Sequence, residues 1–177
     1  NGIVVGPDEK LYMAQGGTSG DGPETHPLGG TILAFNNDGS DLEVYASGLR
    51  NAYDLVFTSS GLLVATDNSH ENDRALWYDE INLIVKGGHY GYPKYAGNAP
   101  PETGTQSPIH LLPMHVAPTG IVEYSSDHFP AQFKNKLFLS LFMTNLHGSK
   151  VVAIALNGTE PGDVEASVED FAEGFGN

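Results

Sequence analysis

A strand–turn–strand unit occurs three times along this 177-residue chain, and no other feature restricts its fold so severely. Gly2-Ile3-Val4-Val5-Gly6-Pro7-Asp8-Glu9-Lys10-Leu11-Tyr12-Met13-Ala14 is an apolar run, a Pro-Asp turn and a second apolar run. Asp54-Leu55-Val56-Phe57-Thr58-Ser59-Ser60-Gly61-Leu62-Leu63-Val64-Ala65 repeats the plan. Gly120-Ile121-Val122-Glu123-Tyr124, a longer turn with Phe129-Pro130, and Leu137-Phe138-Leu139-Ser140 repeat it again. Each copy is followed by a polar loop and more apolar runs. A unit of this kind leaves an apolar face that only a stacked neighbour covers, the construction principle of propeller blades.

The remaining pattern agrees. Short apolar runs at 3–5, 10–14, 31–35, 43–46, 55–57, 62–66, 120–124, 136–141 and 150–156 are punctuated by Gly, Asp, Asn and Ser, as short antiparallel strands require. The 22 glycines and 11 prolines supply the turns, and a 40% hydrophobic content supplies a core. Before residue 160 no segment sustains a 3.6-residue period. Val164, Val168 and Phe171 fall at helical spacing, so the tail reads either as a short helix or as extended structure over 169–175. The proline-marked stretch from Pro93 to Pro118 reads as an irregular connection between blades. The expected fold is all-β, with four-stranded antiparallel blades, about three of them, and less than about a tenth helix. Since closed propellers carry roughly four to eight blades, residues 1–177 read as part of one propeller domain, incomplete at both ends, with the remaining blades supplied by the same or another chain.

Charge and composition narrow the function. With 22 acidic residues against 8 Lys and Arg, the net charge of -14 argues against nucleic acid and against anionic membrane surfaces. Carboxylates at this density serve solubility and are natural calcium ligands. The absence of cysteine excludes disulfides, thiolate nucleophiles and zinc–cysteine sites. No apolar run has the length of a membrane span. Asn157-Gly158-Thr159 is a formal glycosylation sequon.

Chemistry concentrates between Ser47 and Pro93. Arg50 offers a fixed fork of donors suited to carboxylate or quinone oxygen, and Asn51 beside it offers a donor and an acceptor. A plain alternative is that Arg50 pairs with a nearby acid while Asn51 caps a turn. In Asp79-Glu80-Ile81-Asn82, strand alternation sends Asp79 and Ile81 to one face and Glu80 and Asn82 to the other. The alternative there is a hydrogen-bonded corner in which Glu80 and Asn82 cap turn amides. Asp67-Asn68-Ser69-His70-Glu71-Asn72-Asp73-Arg74 is a polar loop that extends through Leu76, Trp77 and Tyr78. The seven histidines (26, 70, 89, 110, 115, 128 and 147) are scattered without ligand-like spacing, and only His115, near Pro118-Thr119-Gly120, draws notice. Gly16-Gly17 and Gly29-Gly30 lack the lysine of a phosphate loop, and no Gly-x-Ser-x-Gly elbow occurs.

The ordered series Ser47-Gly48-Leu49-Arg50-Asn51, then Asp79-Glu80-Ile81-Asn82-Leu83-Ile84-Val85-Lys86-Gly87-Gly88-His89-Tyr90-Gly91-Tyr92-Pro93, resembles the glucose/sorbosone dehydrogenase family. Its members are six-bladed β-propellers that often bind pyrroloquinoline quinone (PQQ) and calcium. The resemblance implies that Arg50 and Asn51 contact PQQ across a central tunnel, with Asp79 beside it. It implies that Glu80, together with the backbone carbonyl of Tyr90, binds a structural calcium. Asn68 and Ser69 are the nearest matches to a loop that reaches the cofactor and its calcium, but the loop here is longer. The family's proton-abstracting histidine would precede residue 1. The basic residues that hold the far side of PQQ would lie mainly after Gly148, where Lys150 is the one candidate. The function so implied is oxidation of an aldose or related sugar by hydride transfer to PQQ, with electrons passed to an external acceptor in an extracellular or periplasmic setting. The competing expectation is a non-catalytic extracellular propeller that binds a protein or a glycan, because fold does not fix function.

Overall fold

The computed structural model describes residues 1–19, 22–69, 78–142, 149–158 and 160–175. Three four-stranded sheets follow one another along the chain, each a simple antiparallel meander. The first contains β1 (Ile3–Val5), β2 (Leu11–Gln15), β3 (Thr31–Phe35) and β4 (Glu43–Ala46). The second contains β5 (Ala52–Phe57), β6 (Leu63–Asp67), β7 (Asp79–Ile84) and β8 (His110–Leu112). The third contains β9 (Pro118–Glu123), β10 (Leu137–Leu141), β11 (Ser149–Asn157) and β12 (Glu165–Phe175). Among the described residues, short 3-10 turns at Pro101–Thr103 and Ala131–Phe133 are the helical structure, and those residues are 4% helix and 44% strand. The blade expectation from the repeat is therefore met.

One detail differs from the sequence reading, and the structure decides one alternative that the sequence left open. The stretch 93–118 is not simply a connection between blades: it contains β8, which pairs with β7 (Asp79↔Leu112, Glu80↔Leu111, Ile81↔His110) and completes the second blade. The tail is a long strand, because Val168 meets Ile154 and Ala166 meets Leu156 across the β11–β12 ladder while Glu165, Ser167 and Glu169 beside them stay exposed.

Two apolar cores glue the blades. Leu63, Ala65 and Ile84 of the second sheet pack with Tyr12, Ala14, Ile32, Ala34 and Ala46 of the first. Val64, Ile81 and Leu83, on the opposite face of the same strands, pack with Ile121, Leu137, Leu139, Val152 and Ile154 of the third. The middle sheet thus buries both faces, which explains why β6 and β7 are buried along their whole length. The outer faces of the end sheets are apolar and open. Cross-strand rows Ile3–Met13–Leu33–Val44 and Val5–Leu11–Phe35 line one. Val122 and an aromatic group of Tyr124, Phe129, Phe133, Phe138 and Phe171 line the other.

The first strands β1, β5 and β9 lie side by side. Gly2 N–H donates to Tyr53 C=O at 2.7 Å, and the Asp54 carboxylate accepts Ile121 N–H at 2.9 Å. Antiparallel pairing then fixes what shares one end of the stack. Ala52 opposes Asp67, Asp67 opposes Glu80, and Asp79 opposes Leu112, so residues 47–51, Asn68–Ser69, Asp79–Glu80 and 113–117 gather there.

Candidate functional site

Residues 47–51 leave the first blade and enter the second. Gly48 takes φ +74°, and a Cβ there would lie 2.5 Å from the His89 ring, so only glycine fits this turn. The segment continues into Arg50 and Asn51, whose backbone amides both point at one carboxylate. Asp67 accepts Arg50 N–H at 2.9 Å through Oδ2 and Asn51 N–H at 2.6 Å through Oδ1. On the opposite side of the pair, Gly17 N–H donates to Arg50 C=O at 2.7 Å. A Cβ on Gly17 would sit 2.8 Å from that same oxygen, so the glycine permits the β2–β3 turn to close on Arg50. Asn68 completes the inner edge: its N–H donates to Asn51 C=O at 3.1 Å and its Nδ2 to Pro118 C=O at 3.0 Å, linking the second and third blades.

Alternation along β7 divides its polar residues as the sequence indicated. Asp79 faces the third blade, where Oδ1 accepts Ser69 N–H at 2.7 Å and Oδ2 accepts Ala117 N–H at 2.9 Å. Glu80 and Asn82 face the first blade. Glu80 Oε1 accepts Gly97 N–H at 2.5 Å and Oε2 accepts Asn82 Nδ2 at 3.0 Å. Asp67, Asp79, Glu80 and Asn82 are 6%, 2%, 6% and 0% exposed. Asn82 Oδ1 is buried with no hydrogen-bond partner among the described residues.

Between the first and second blades lies a cavity of about 10 Å³, the size of one water or one ion. Arg50, Asp67, Ser69, Glu80, Tyr90 and Tyr92 line it. Burial raises the Asp67 carboxyl well above the ordinary range, and the neighbouring Glu80 charge raises it further, against the pull of the two amides and the Arg50 guanidinium. Burial likewise raises Glu80. Two adjacent buried acids lining a one-ion cavity form an oxygen-rich donor set suited to a hard cation. Among the described residues no group of three or more His, Asp or Glu side chains forms a metal cage, so carbonyls and water would complete the coordination.

Tyr90 helps to shape this cavity from the long connection after β7. Its hydroxyl donates to Leu83 C=O at 2.5 Å and accepts Val85 N–H at 3.0 Å, while its own N–H donates to Ser47 C=O at 2.9 Å. Burial pushes the phenol up to about 12.

The structure therefore brings Arg50, Glu80 and Tyr90 around one cavity. Asn51 and Asn68 lie at the inner edge, and Asp79 lies across β7, directed to the third blade rather than into that cavity. Arg50 also meets the neighbouring-acid alternative, since its charge acts on Asp67. His26, His89, His115 and His128 are exposed, and His115, at φ +58°, is a turn residue. His70 to Trp77, His147, Gly148 and Thr159 of the sequon lie outside the described residues. Lys150 pairs with Asp170 at 2.5 Å on the outer part of the third blade. Sequence reading missed Asp67, whose partners lie 16 and 17 residues away, and Gly17, whose value is a close approach rather than a phosphate loop.

With this geometry in hand, comparison with known proteins is decisive. The family model for glucose / sorbosone dehydrogenase matches residues 1–174. The chain belongs to the glucose / sorbosone dehydrogenase family. Among curated relatives, it is 32% identical to the quinoprotein glucose dehydrogenase B of Acinetobacter calcoaceticus, covering 54% of this chain and 26% of that protein. It is 27% identical to the aldose sugar dehydrogenase YliI of Escherichia coli, covering 82% of this chain and 39% of that protein. Among solved structures, an oxidoreductase (glucose dehydrogenase) of Thermus thermophilus matches 98% of this chain and 53% of its own, with a TM-score of 0.81 and 25% identity. The PQQ-bound aldose sugar dehydrogenase of Streptomyces coelicolor matches 97% of this chain and 48% of its own, with a TM-score of 0.74 and 25% identity. The chain thus spans about half the length of these solved relatives and less of the curated ones. Among the described residues no helix is long and apolar enough to cross a membrane.

Proposed function

We propose that this chain contributes one wall of a PQQ site in a sugar dehydrogenase that oxidises an aldose or a related sugar. The observation that carries the reading is the placement of the Arg50–Asn51 pair, fixed at the blade end where β5, β6 and β7 meet, in a fold shared with a PQQ-bound aldose sugar dehydrogenase. The donor set fits such a group: a guanidinium and a carboxamide, from Arg50 and Asn51, suit the carboxylates and quinone oxygens of PQQ, and Asn68 braces Asn51 from the loop behind. When bound, PQQ supplies the two-electron acceptor for the sugar, and an external acceptor then takes the electrons. The chain's own residues bind and orient. Arg50 offsets negative charge, Asn51 offers its carboxamide, Asn68 ties Asn51 to Pro118 through its own amide, and Asp79 holds residues 69 and 117 in place beside it. No proton transfer is assigned to a histidine of this chain.

Calcium belongs to the same proposal. Glu80 and the Tyr90 carbonyl would hold it in the one-ion cavity, beside the Asp67 carboxyl whose two oxygens take the Arg50 and Asn51 amides. The open apolar faces of the end sheets suit stacking by further blades from the same or another polypeptide, and the acidic, cysteine-free composition suits an extracellular or periplasmic setting.

Absorbance titration of the full-length protein with PQQ in the presence of calcium tests the cofactor, followed by dye-linked assay with aldoses. Uptake of PQQ and its marked weakening in Arg50→Ala are expected. A wild-type protein that takes up no PQQ would refute the reading and leave the non-catalytic binding propeller in its place. For calcium, chelation should lower Tm, and Glu80→Gln should abolish that sensitivity. A melt unmoved by chelator removes calcium from the proposal.

A further inference from the structure

We propose that Asp67 is the positioning residue of the Arg50–Asn51 pair: its buried carboxylate clamps the backbone amides of both residues and so sets the angle at which they meet the cofactor. The inference rests on the PQQ reading and adds to it a residue that touches neither cofactor nor sugar.

Three observations carry it. First, each carboxylate oxygen takes one of the two amides, at 2.9 Å and 2.6 Å. A planar two-oxygen acceptor serves two successive amides in this way, one on each oxygen. Second, Asp67 ends β6, held in register by Ala52 on one side and Glu80 on the other, so the clamp is anchored to the rigid middle sheet rather than to a loop. Third, the other described backbone contacts on the pair fall on its carbonyls and leave the two amides to Asp67: Gly17 N–H reaches Arg50 C=O, and Asn68 reaches Asn51 C=O through its N–H and its Nδ2. Without Asp67, two amides would lose their buried acceptor just where the chain changes blades. The side chains of Arg50 and Asn51 would then sample orientations that PQQ must freeze on binding, and the loss would appear as weaker affinity.

Asp67→Asn is the sharpest test, because the carboxamide is nearly isosteric but has one oxygen for two N–H donors. Thr66→Val is the control. Thr66 is buried on the opposite face of the same strand and bonds Asp54, so its loss destabilises β6 without touching the pair. Both variants of the full-length protein are titrated with PQQ at a temperature well below either melting point. Amide exchange at Arg50 and Asn51 is followed by NMR or mass spectrometry. We expect the PQQ Kd to rise about tenfold or more in Asp67→Asn, with faster exchange at both amides, and neither change in Thr66→Val. Turnover at saturating PQQ should recover much of its wild-type value, which separates weaker binding from lost chemistry. Unchanged PQQ affinity in a folded Asp67→Asn, beside a wild type that binds, overturns this proposal alone. Failure of the wild type to bind PQQ overturns the cofactor reading and this assignment together. Should Asp67→Asn not fold, exchange in the unsubstituted protein decides: rapid exchange at Arg50 and Asn51 overturns the clamp, and strong protection at both supports it.

Discussion

Asp54 is a candidate for the clasp that holds the three first strands together, and its removal gives a prediction that can be worked from distances. Its Oδ2 accepts Ile121 N–H of the third blade at 2.9 Å, and its Oδ1 accepts Leu55 N–H at 2.9 Å. From the first blade Gly2 presses on it so closely that a Cβ there would lie 1.8 Å from Oδ1. A hydrogen bond to a charged group contributes about 1.5–3 kcal/mol, and an amide left without its acceptor adds to the loss. Asp54→Ala should therefore cost about 2–3 kcal/mol, or about 5–10 °C in Tm for a chain of this size. Asp54→Asn, which keeps one acceptor oxygen, should cost about half as much. Gly2→Ala should cost about 1–3 kcal/mol through overpacking. The two are expected not to add: in the Asp54→Ala background the added methyl meets a void, so the double variant should recover about 1 kcal/mol or more. Thermal and urea melts followed by circular dichroism measure all four proteins. Additivity within about 0.5 kcal/mol, or a Tm change below about 2 °C for Asp54→Ala, would show that Asp54 does not bridge the blades.

Two further outcomes follow from the cavity. Tyr90→Phe removes a hydroxyl that bonds Leu83 C=O and Val85 N–H, and should lower stability by about 1–2 kcal/mol in chemical denaturation, with little effect if the connection after β7 is held chiefly by its backbone. In cation-free protein the raised carboxyls of Asp67 and Glu80 bind a proton more tightly when folded than when unfolded. Their contribution is therefore fully present below the unfolded value of 3.8 for Asp67 and fades as pH rises toward about 8. Urea melts across that window in chelator should show the decline, Asp67→Asn should flatten it, and saturating calcium should oppose it. A chelated wild type whose stability rises from about pH 5 to about pH 8 would contradict the assignment.

How much of this was legible in the sequence depended on distance along the chain. The strand–turn–strand copies are local, and β1, β2, β5, β6, β9 and β10 fall within a few residues of the apolar runs that announce them. The face division of Asp79 and Glu80 also followed from alternation alone, because a strand has no other option. By contrast β8 is three residues long and sits among prolines, so its only signal is the partner strand it completes. The tail kept two readings because Val164, Val168 and Phe171 satisfy a helical spacing, and only the exposed ladder offered by β11 makes the extended form win. Asp67 was readable as a polar residue at a strand end. Its role was not, since the two amides it holds become neighbours only when Ala52 is registered opposite it.

The chain's acidity takes on a second meaning in this light. A net charge of -14 suggests solvated carboxylates, yet several acids spend their oxygens on main-chain amides that cross between segments. Asp67 holds residues 50 and 51, Asp79 holds 69 and 117, and Glu80 holds 97. Asp54 holds 121, and at the far end of the stack Glu123 accepts Ser59 N–H. Loops that join strands cannot satisfy their amides with a ladder, and a carboxylate at a strand end does so from a rigid base. Three of these staples converge on the connections around Arg50 and Asn51. The architecture thus places its costliest groups, buried acids, where on the proposed function the backbone would hold still for a ligand, while the exposed acids serve solubility. It follows that neutralising Asp67, Asp79 or Glu80 should disturb ligand binding more than stability, whereas neutralising Asp54 or Glu123 should do the reverse.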